Sequence, residues 1–211
     1  EGVDFAGCFV TGSFEVFMGL LALKEVEISS THIDCSRALE LLYSAPWAPL
    51  IKKLDLGWTD AEGEIGGLTK CTNLEVVAFG SIESNKNITG DIALLGNCTK
   101  LQVAHFYNCR KLTGEFASLS NLTNLLKFDF GYCSYLNGSF EDFMSFPALQ
   151  DIQIRHTKLD CSRAMELISS APWAPHIKNL GLSKTNVEGD IAALANCTNL
   201  ERANFSYCPN I

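Results

Sequence analysis

A basic excess is missing from this chain. Its 16 Lys and Arg are outnumbered by 24 Asp and Glu, giving a formal net charge of −8 over 211 residues. Binding to a phosphate backbone depends on clustered cations that release counterions, so no nucleic-acid partner is expected. Long apolar runs are missing too. None approaches the roughly 20 residues that cross a bilayer, and no direct membrane insertion is expected. The chain has no Cys-x-x-Cys pair, no phosphate-binding glycine loop and no Gly-x-Ser-x-Gly elbow. The four histidines, His32, His105, His156 and His176, are scattered. One close His–Cys spacing, His105 with Cys109, sends the two side chains in different directions. The expectation is therefore no enzyme, no metal and no cofactor, because a site needs named groups within mutual reach. Disorder is also excluded: 47% of residues are hydrophobic and only 19% are charged, a globular balance.

What the chain has in abundance is repetition. Gly12-Ser13-Phe14 returns as Gly138-Ser139-Phe140, an offset of 126 that also carries Cys35 to Cys161, Trp47 to Trp173 and Cys71 to Cys197. The run from Asp34 to Pro49 returns almost unchanged from Asp160 to Pro175. Inside this long unit lies a shorter one. Alternating apolar segments begin at Leu23, Ile51, Leu74, Leu101, Leu125, Leu149, Ile177 and Leu200, at spacings of 28, 23, 27, 24, 24, 28 and 23. Each reads L-x-x-Φ-x-Φ with Φ apolar, as in Leu101, Ala104 and Phe106. Period two places the apolar residues on one face of a short strand. Cys or Thr follows a few positions later, as at Cys109, Cys133, Thr31 and Thr59, and Phe5 with Cys8 forms a partial unit at the start.

This wording resembles the leucine-rich repeat family, L-x-x-L-x-L-x-x-N/C-x-L, over essentially the whole chain. Segments such as Ile88-Thr89-Gly90-Asp91-Ile92 and Val187-Glu188-Gly189-Asp190-Ile191 resemble the L-x-G-x-I tag of plant-type repeats. The chain departs from the pattern in three ways. Cys or Thr stands where the family carries Asn, the Pro after the Ile is absent, and Phe replaces the last Leu in several units. The resemblance implies an α/β fold: a leucine-rich-repeat solenoid, a right-handed curved stack with a parallel concave sheet and short helical or 3₁₀ convex segments. Residues 1–211 form a single solenoid of about eight repeats plus partial ends. The bare ends predict a piece of a longer array, with flanking repeats or neighbouring subunits at both ends, because a solenoid needs covered termini.

The return path is expected to differ between units. Asp34 and Asp160 read as helix N-caps, with Ala38, Leu41 and Leu42 at helical spacing and prolines closing the segment. Trp47 and Trp173 should pack over those helix ends. Units opening with Gly-Asp-Ile or Gly-Glu-Phe leave less room for a helix, and short 3₁₀ or irregular convex segments are expected there. The nine cysteines all fall at repeat positions, which assigns them as buried structural thiols.

The concave face is where a solenoid presents variable side chains. Its exposed positions place Trp58, His105, Tyr107, Asp129, Tyr132, Arg155 and His156 on an otherwise small and polar surface, and aromatics with Arg are the residue types of interface hot spots. Gly57, Gly80 and Gly131 beside them are expected to leave shallow pockets. Among six N-x-S/T sequons, Asn87 in an inserted loop is the favoured glycosylation site. The reading is a non-catalytic module or scaffold that binds another protein through its concave face. Two alternatives stand beside it: an extracellular recognition ectodomain for peptide or glycan, which the sequons favour, and a structural subunit packed by its edges in a large assembly.

Overall fold

The computed structural model describes residues 1–80 and 87–211. Nine three-residue strands, Gly2–Asp4, Glu25–Glu27, Lys53–Asp55, Val76–Ala78, Val103–His105, Lys127–Asp129, Asp151–Gln153, Asn179–Gly181 and Arg202–Asn204, form one parallel sheet in strict chain order. Eight follow the full repeats, and the ninth comes from the partial opening unit. The register is constant, with Val26 beside Leu54, Leu54 beside Val77 and Ala104 beside Phe128. Side chains alternate across a strand, so each middle residue turns inward. The inner strands bury Val26, Leu54, Val77, Ala104, Phe128, Ile152 and Leu180, each at most 1% exposed. The spine is rich in Phe. Phe106 stacks on Phe130 at 5.0 Å, and Phe116 and Phe143 meet Phe128 edge-on at 5.0 Å each.

The convex side follows the tags as expected. Units with a Gly-Asp-Ile or Gly-Glu-Phe tag turn back through 3₁₀ segments such as Ile92–Asn97 and Phe116–Leu119. The 28-residue units carry α1 (Ala38–Leu41) and α2 (Ala164–Ile168). Trp47 and Trp173 are wholly buried beyond these helices, and their indole N–H groups donate to the carbonyls of Phe17 and Phe143 at 2.9 and 3.0 Å. A buried indole needs such a partner.

The expected N-caps are not where the helices start. Arg37 and Arg163 precede α1 and α2, and neither side chain caps. Asp34 and Asp160 instead accept from the backbone N–H of Ser36 and Ser162, at 3.0 Å each. The next unit explains the shift. Asp60 and Asn186 accept from the N–H of Cys35 and Cys161 at 2.7 Å, which fixes an additional turn before the helix.

A second parallel sheet also forms, of Gly63–Glu64, Ile88–Asp91, Lys111–Glu115 and Leu136–Asn137, with a separate pair Thr11–Ser13 and His32–Asp34. The Gly-Asp and Gly-Glu tags lie in or beside it, and sequence periodicity does not announce it because each strand is too short to alternate.

Ladder Thr and Cys work differently. Thr31, Thr59, Thr157 and Thr185 donate to the carbonyl three residues back in their own unit, at 2.6–2.8 Å. Cys133 and Cys208 reach the preceding unit, donating to Phe106 and Leu182 at 3.1 and 3.2 Å. Burial pushes the thiols of Cys35, Cys71 and Cys161 up to about 12 and Cys98 up to about 11, which removes their thiolate reactivity. Cys8 and Cys208 are the corrections to the buried-thiol expectation. Cys8 is exposed and Cys208 only half-buried, because each sits in an end unit with a neighbour on one side only. Among the described residues no helix is long and apolar enough to cross a membrane.

Candidate functional site

Among the described residues, eight of the nine concave strands leave through the same turn. The second residue after the last apolar position is left-handed: Ser30, Trp58, Asn108, Tyr132, His156, Lys184 and Tyr207 all have φ between 55° and 65°, and Gly7 has φ 70°. Non-glycine residues rarely adopt this conformation. The turn is held from both sides. In several units a strand-end Asp or Asn accepts from the N–H two residues on, as Asp55 does from Gly57 (2.9 Å), Asp129 from Gly131 (3.1 Å) and Asn204 from Ser206 (3.0 Å). The left-handed residue's own N–H donates to the neighbouring unit, as Tyr132 does to Arg155 and His156 does to Ser183. The aromatics at Trp58, Tyr132 and Tyr207 are thus raised on a rigid row of turns along one rim.

Six of the seven expected site residues meet. His105 Nδ1 lies 3.3 Å from an Asp129 carboxylate oxygen. The Arg155 guanidinium carbon sits 4.9 Å from the centre of the Tyr107 ring, within cation–π range. Tyr107 meets Tyr132 edge-on at 5.4 Å, and Tyr132 meets His156 at 4.9 Å. Trp58 stands apart, 49% exposed, two strands from Tyr107 and without a ring contact to the group.

The glycines do not leave pockets. A Cβ on Gly131 would lie 3.1 Å from Arg155 Cγ and 3.2 Å from Tyr107 Cδ2, and one on Gly80 would lie 2.1 Å from His105 Nε2. The missing side chains are the space into which the large neighbours lean. Small and large residues alternate along the column as Gly80, Tyr107, Gly131 and Arg155, so the surface is a filled ridge.

Burial pushes the Asp129 carboxyl above its ordinary range, and His105, the Gly131 N–H and Arg155 each pull it part of the way back. Burial likewise raises the Tyr107 hydroxyl. Arg155 Nε is buried with no hydrogen-bond partner, a donor left over beside the ridge. Next to it a cleft of about 390 Å³ is lined by Asp151, Asn179 and Arg202 together with Asp129 and Arg155. The first three residues were not expected in the site. They occupy the first strand position, two before the central exposed residue, and the same period-two reading reaches them.

Asn87 is exposed and engaged. Its amide donates to Glu62 at 2.9 Å and its carbonyl accepts from Lys111 at 2.8 Å, so it bridges two units. The inserted residues 83–86 before it lie outside the described residues. Among the described residues no cluster of His, Cys, Asp or Glu is arranged to hold a metal.

Comparison with known proteins places this architecture. No family model matches the chain, and no curated protein matches it. Solved structures do. The ectodomain of the Arabidopsis thaliana receptor kinase GASSHO1/SCHENGEN3, in complex with CASPARIAN STRIP INTEGRITY FACTOR 2, superposes with a TM-score of 0.75 at 18% identity over 98% of this chain. Internalin C2 from Listeria monocytogenes gives 0.65 at 19% identity, covering 97% of this chain and 80% of its own. The Arabidopsis receptor kinase HAESA, in complex with the peptide hormone IDA and the co-receptor SERK1, gives 0.64 at 16% identity over 97% of this chain and 41% of its own. The chain spans about a quarter of the length of the first of these, at 24%. The structure is a leucine-rich-repeat solenoid.

Proposed function

We propose that the chain is a non-catalytic protein-interaction module whose concave sheet receives a peptide or an extended protein segment on the ridge centred on Tyr107, Tyr132 and Arg155. One observation carries the reading. Three rings and a guanidinium are assembled half-exposed, before any partner arrives, on a sheet whose turns are locked. Aromatics and Arg held rigid lose little entropy on binding, which is what makes such residues hot spots. Arg155 Nε and the neighbouring polar cleft supply the directional contacts beside the apolar one. The similar structures solved with a peptide hormone or an integrity factor bound support the class of partner.

The test is selection of binders from a random peptide display library, followed by calorimetry of the selected peptide on variants. Tyr107→Ala and Arg155→Ala are each expected to weaken binding by at least about tenfold, roughly 1.4 kcal/mol. Selected peptides that bind both variants as tightly as the parent would defeat the concave reading.

A further inference from the structure

The chain has five arginines, and their partners divide them. Arg37 pairs with Glu40 and Glu15, and Arg163 with Glu166 and Glu141. Arg110 donates to Asn108 Oδ1 at 2.6 Å. The side chains of the other two, Arg155 and Arg202, make neither an ion pair nor a hydrogen bond among the described residues. Both line the same cleft of about 390 Å³ on the concave face.

The acids of that cleft do not serve them. Asp151 accepts from the side-chain amides of Gln153 and Asn179, at 2.9 and 3.1 Å. Asp129 accepts from the Gly131 N–H at 3.1 Å and faces His105. A guanidinium is planar and always charged, and its N–H donors match a carboxylate through two parallel bonds. Arg155 Nε is buried without a partner. Buried donors are almost always satisfied, so one that is not calls for an acceptor from elsewhere. Two unpaired guanidiniums beside two engaged carboxylates make a site short of one acid.

Charge along the sheet agrees. On their strand and turn positions, the first three strands present Asp4, Glu25, Glu27 and Asp55 against Lys53, which pairs with Glu27. The last three present Arg155, Lys184 and Arg202 against Asp151. A positive end is the exception in a chain of net charge −8, and complementary potential favours an anionic group there. This end begins at Arg155, itself part of the ridge.

We propose that the cleft takes the carboxylate of an aspartate or glutamate side chain of the bound segment, held between the guanidiniums of Arg155 and Arg202. The proposal rests on the concave reading and adds the chemistry of the partner and its direction. The acid of the segment lies beyond its apolar contact with Tyr107 and Tyr132, towards the strand Arg202–Asn204.

The test is selection from random peptides joined to their carrier through the C-terminus, so that only side chains offer a carboxylate. The binding pool is expected to carry Asp or Glu at one fixed place. A selected peptide, made with a C-terminal amide, is then titrated by calorimetry in a double-mutant cycle. Replacing its acid by the matching amide, or Arg202→Gln in the protein, should each weaken binding at least about tenfold. The two together should cost no more than either alone, because the same bonds are lost once. Arg202 is exposed, so Arg202→Gln should leave the melting curve in place. Lys184→Gln removes a nearby cation that lies over Tyr207 and outside the cleft, and should change affinity by less than about twofold. Tyr107→Ala reports the ridge separately. If Tyr107→Ala weakens binding but the pool holds no fixed acid, or the acid and Arg202 act additively, the cleft is overturned and the ridge stands. If Tyr107→Ala and the cycle are both silent, both readings fall. Equal losses at Lys184 and Arg202 would show a diffuse field and also overturn the cleft.

Discussion

Trp47 and Trp58 belong to adjacent repeats of one long unit and have opposite environments. Trp47 is fully buried, its ring against Phe14 and its N–H on the Phe17 carbonyl. Trp58 is 49% exposed on a left-handed turn. In the second copy Trp47 is Trp173 in the same bond, whereas Trp58 is Lys184 at the same φ of 58°. Packing fixes the first position and leaves the second free to serve whatever binds. Residue type alone does not separate the two; the environment does.

Substitution should widen that contrast. The largest effect belongs to Trp173→Ala, which empties a buried site and strands the Phe143 carbonyl. A loss of about 3–5 kcal/mol is expected in chemical denaturation. Trp58→Ala, measured the same way, should stay within about 0.5 kcal/mol, as exposed changes do. Equal losses would erase the distinction between the two tryptophans. The ladder comes next. Thr59→Val removes the bond from Thr59 Oγ1 to the Leu56 carbonyl at 2.7 Å and the one accepted from Ala61 N–H at 3.3 Å. The cost should be about 1–2 kcal/mol. Of similar size is Lys184→Val, which puts a β-branched residue at positive φ and should cost about 1–2 kcal/mol through backbone strain alone, while Lys184→Gly should be neutral or gain up to about 1 kcal/mol. A Val variant as stable as the parent would mean that the rim turns carry no strain.

The repeat, its spine and the choice of helix or 3₁₀ return were legible because they rest on side-chain period and on local tags, both written in the sequence. Residues such as Leu54, Phe106 and Phe130 could point only one way. The grouping of His105, Tyr107, Asp129, Tyr132, Arg155 and His156 followed from the same register. What was not legible depends on contacts between units. Asp34 reads as a cap until Asp60, one unit later, takes the Cys35 N–H. Gly131 reads as a pocket until Tyr107 and Arg155 fill it from either side. The left-handed column has no glycine signature because neighbouring carbonyls and strand-end Asx residues stabilise it without one, and no β-branched residue stands among the described non-glycine members.

Asp129 joins the two themes, since it holds a rim turn and sits inside the ridge. Its carboxyl is raised by burial, so the folded chain binds that proton more tightly than the unfolded chain does. The stability from this group is therefore complete at pH values below the ordinary carboxylate range near 4 and is lost as pH rises through the folded value. At neutral pH the buried charge is a net cost. Asp129→Asn removes the charge and keeps the acceptor for the Gly131 N–H, a geometry the chain already uses at Asn204, which accepts from Ser206 at 3.0 Å. The variant should gain up to about 1 kcal/mol at neutral pH, with the advantage shrinking towards pH 3 in paired denaturation curves. A variant destabilised at neutral pH would show that the His105 contact at 3.3 Å outweighs desolvation. The acid would then belong to the fold, unlike the residues of the ridge around it.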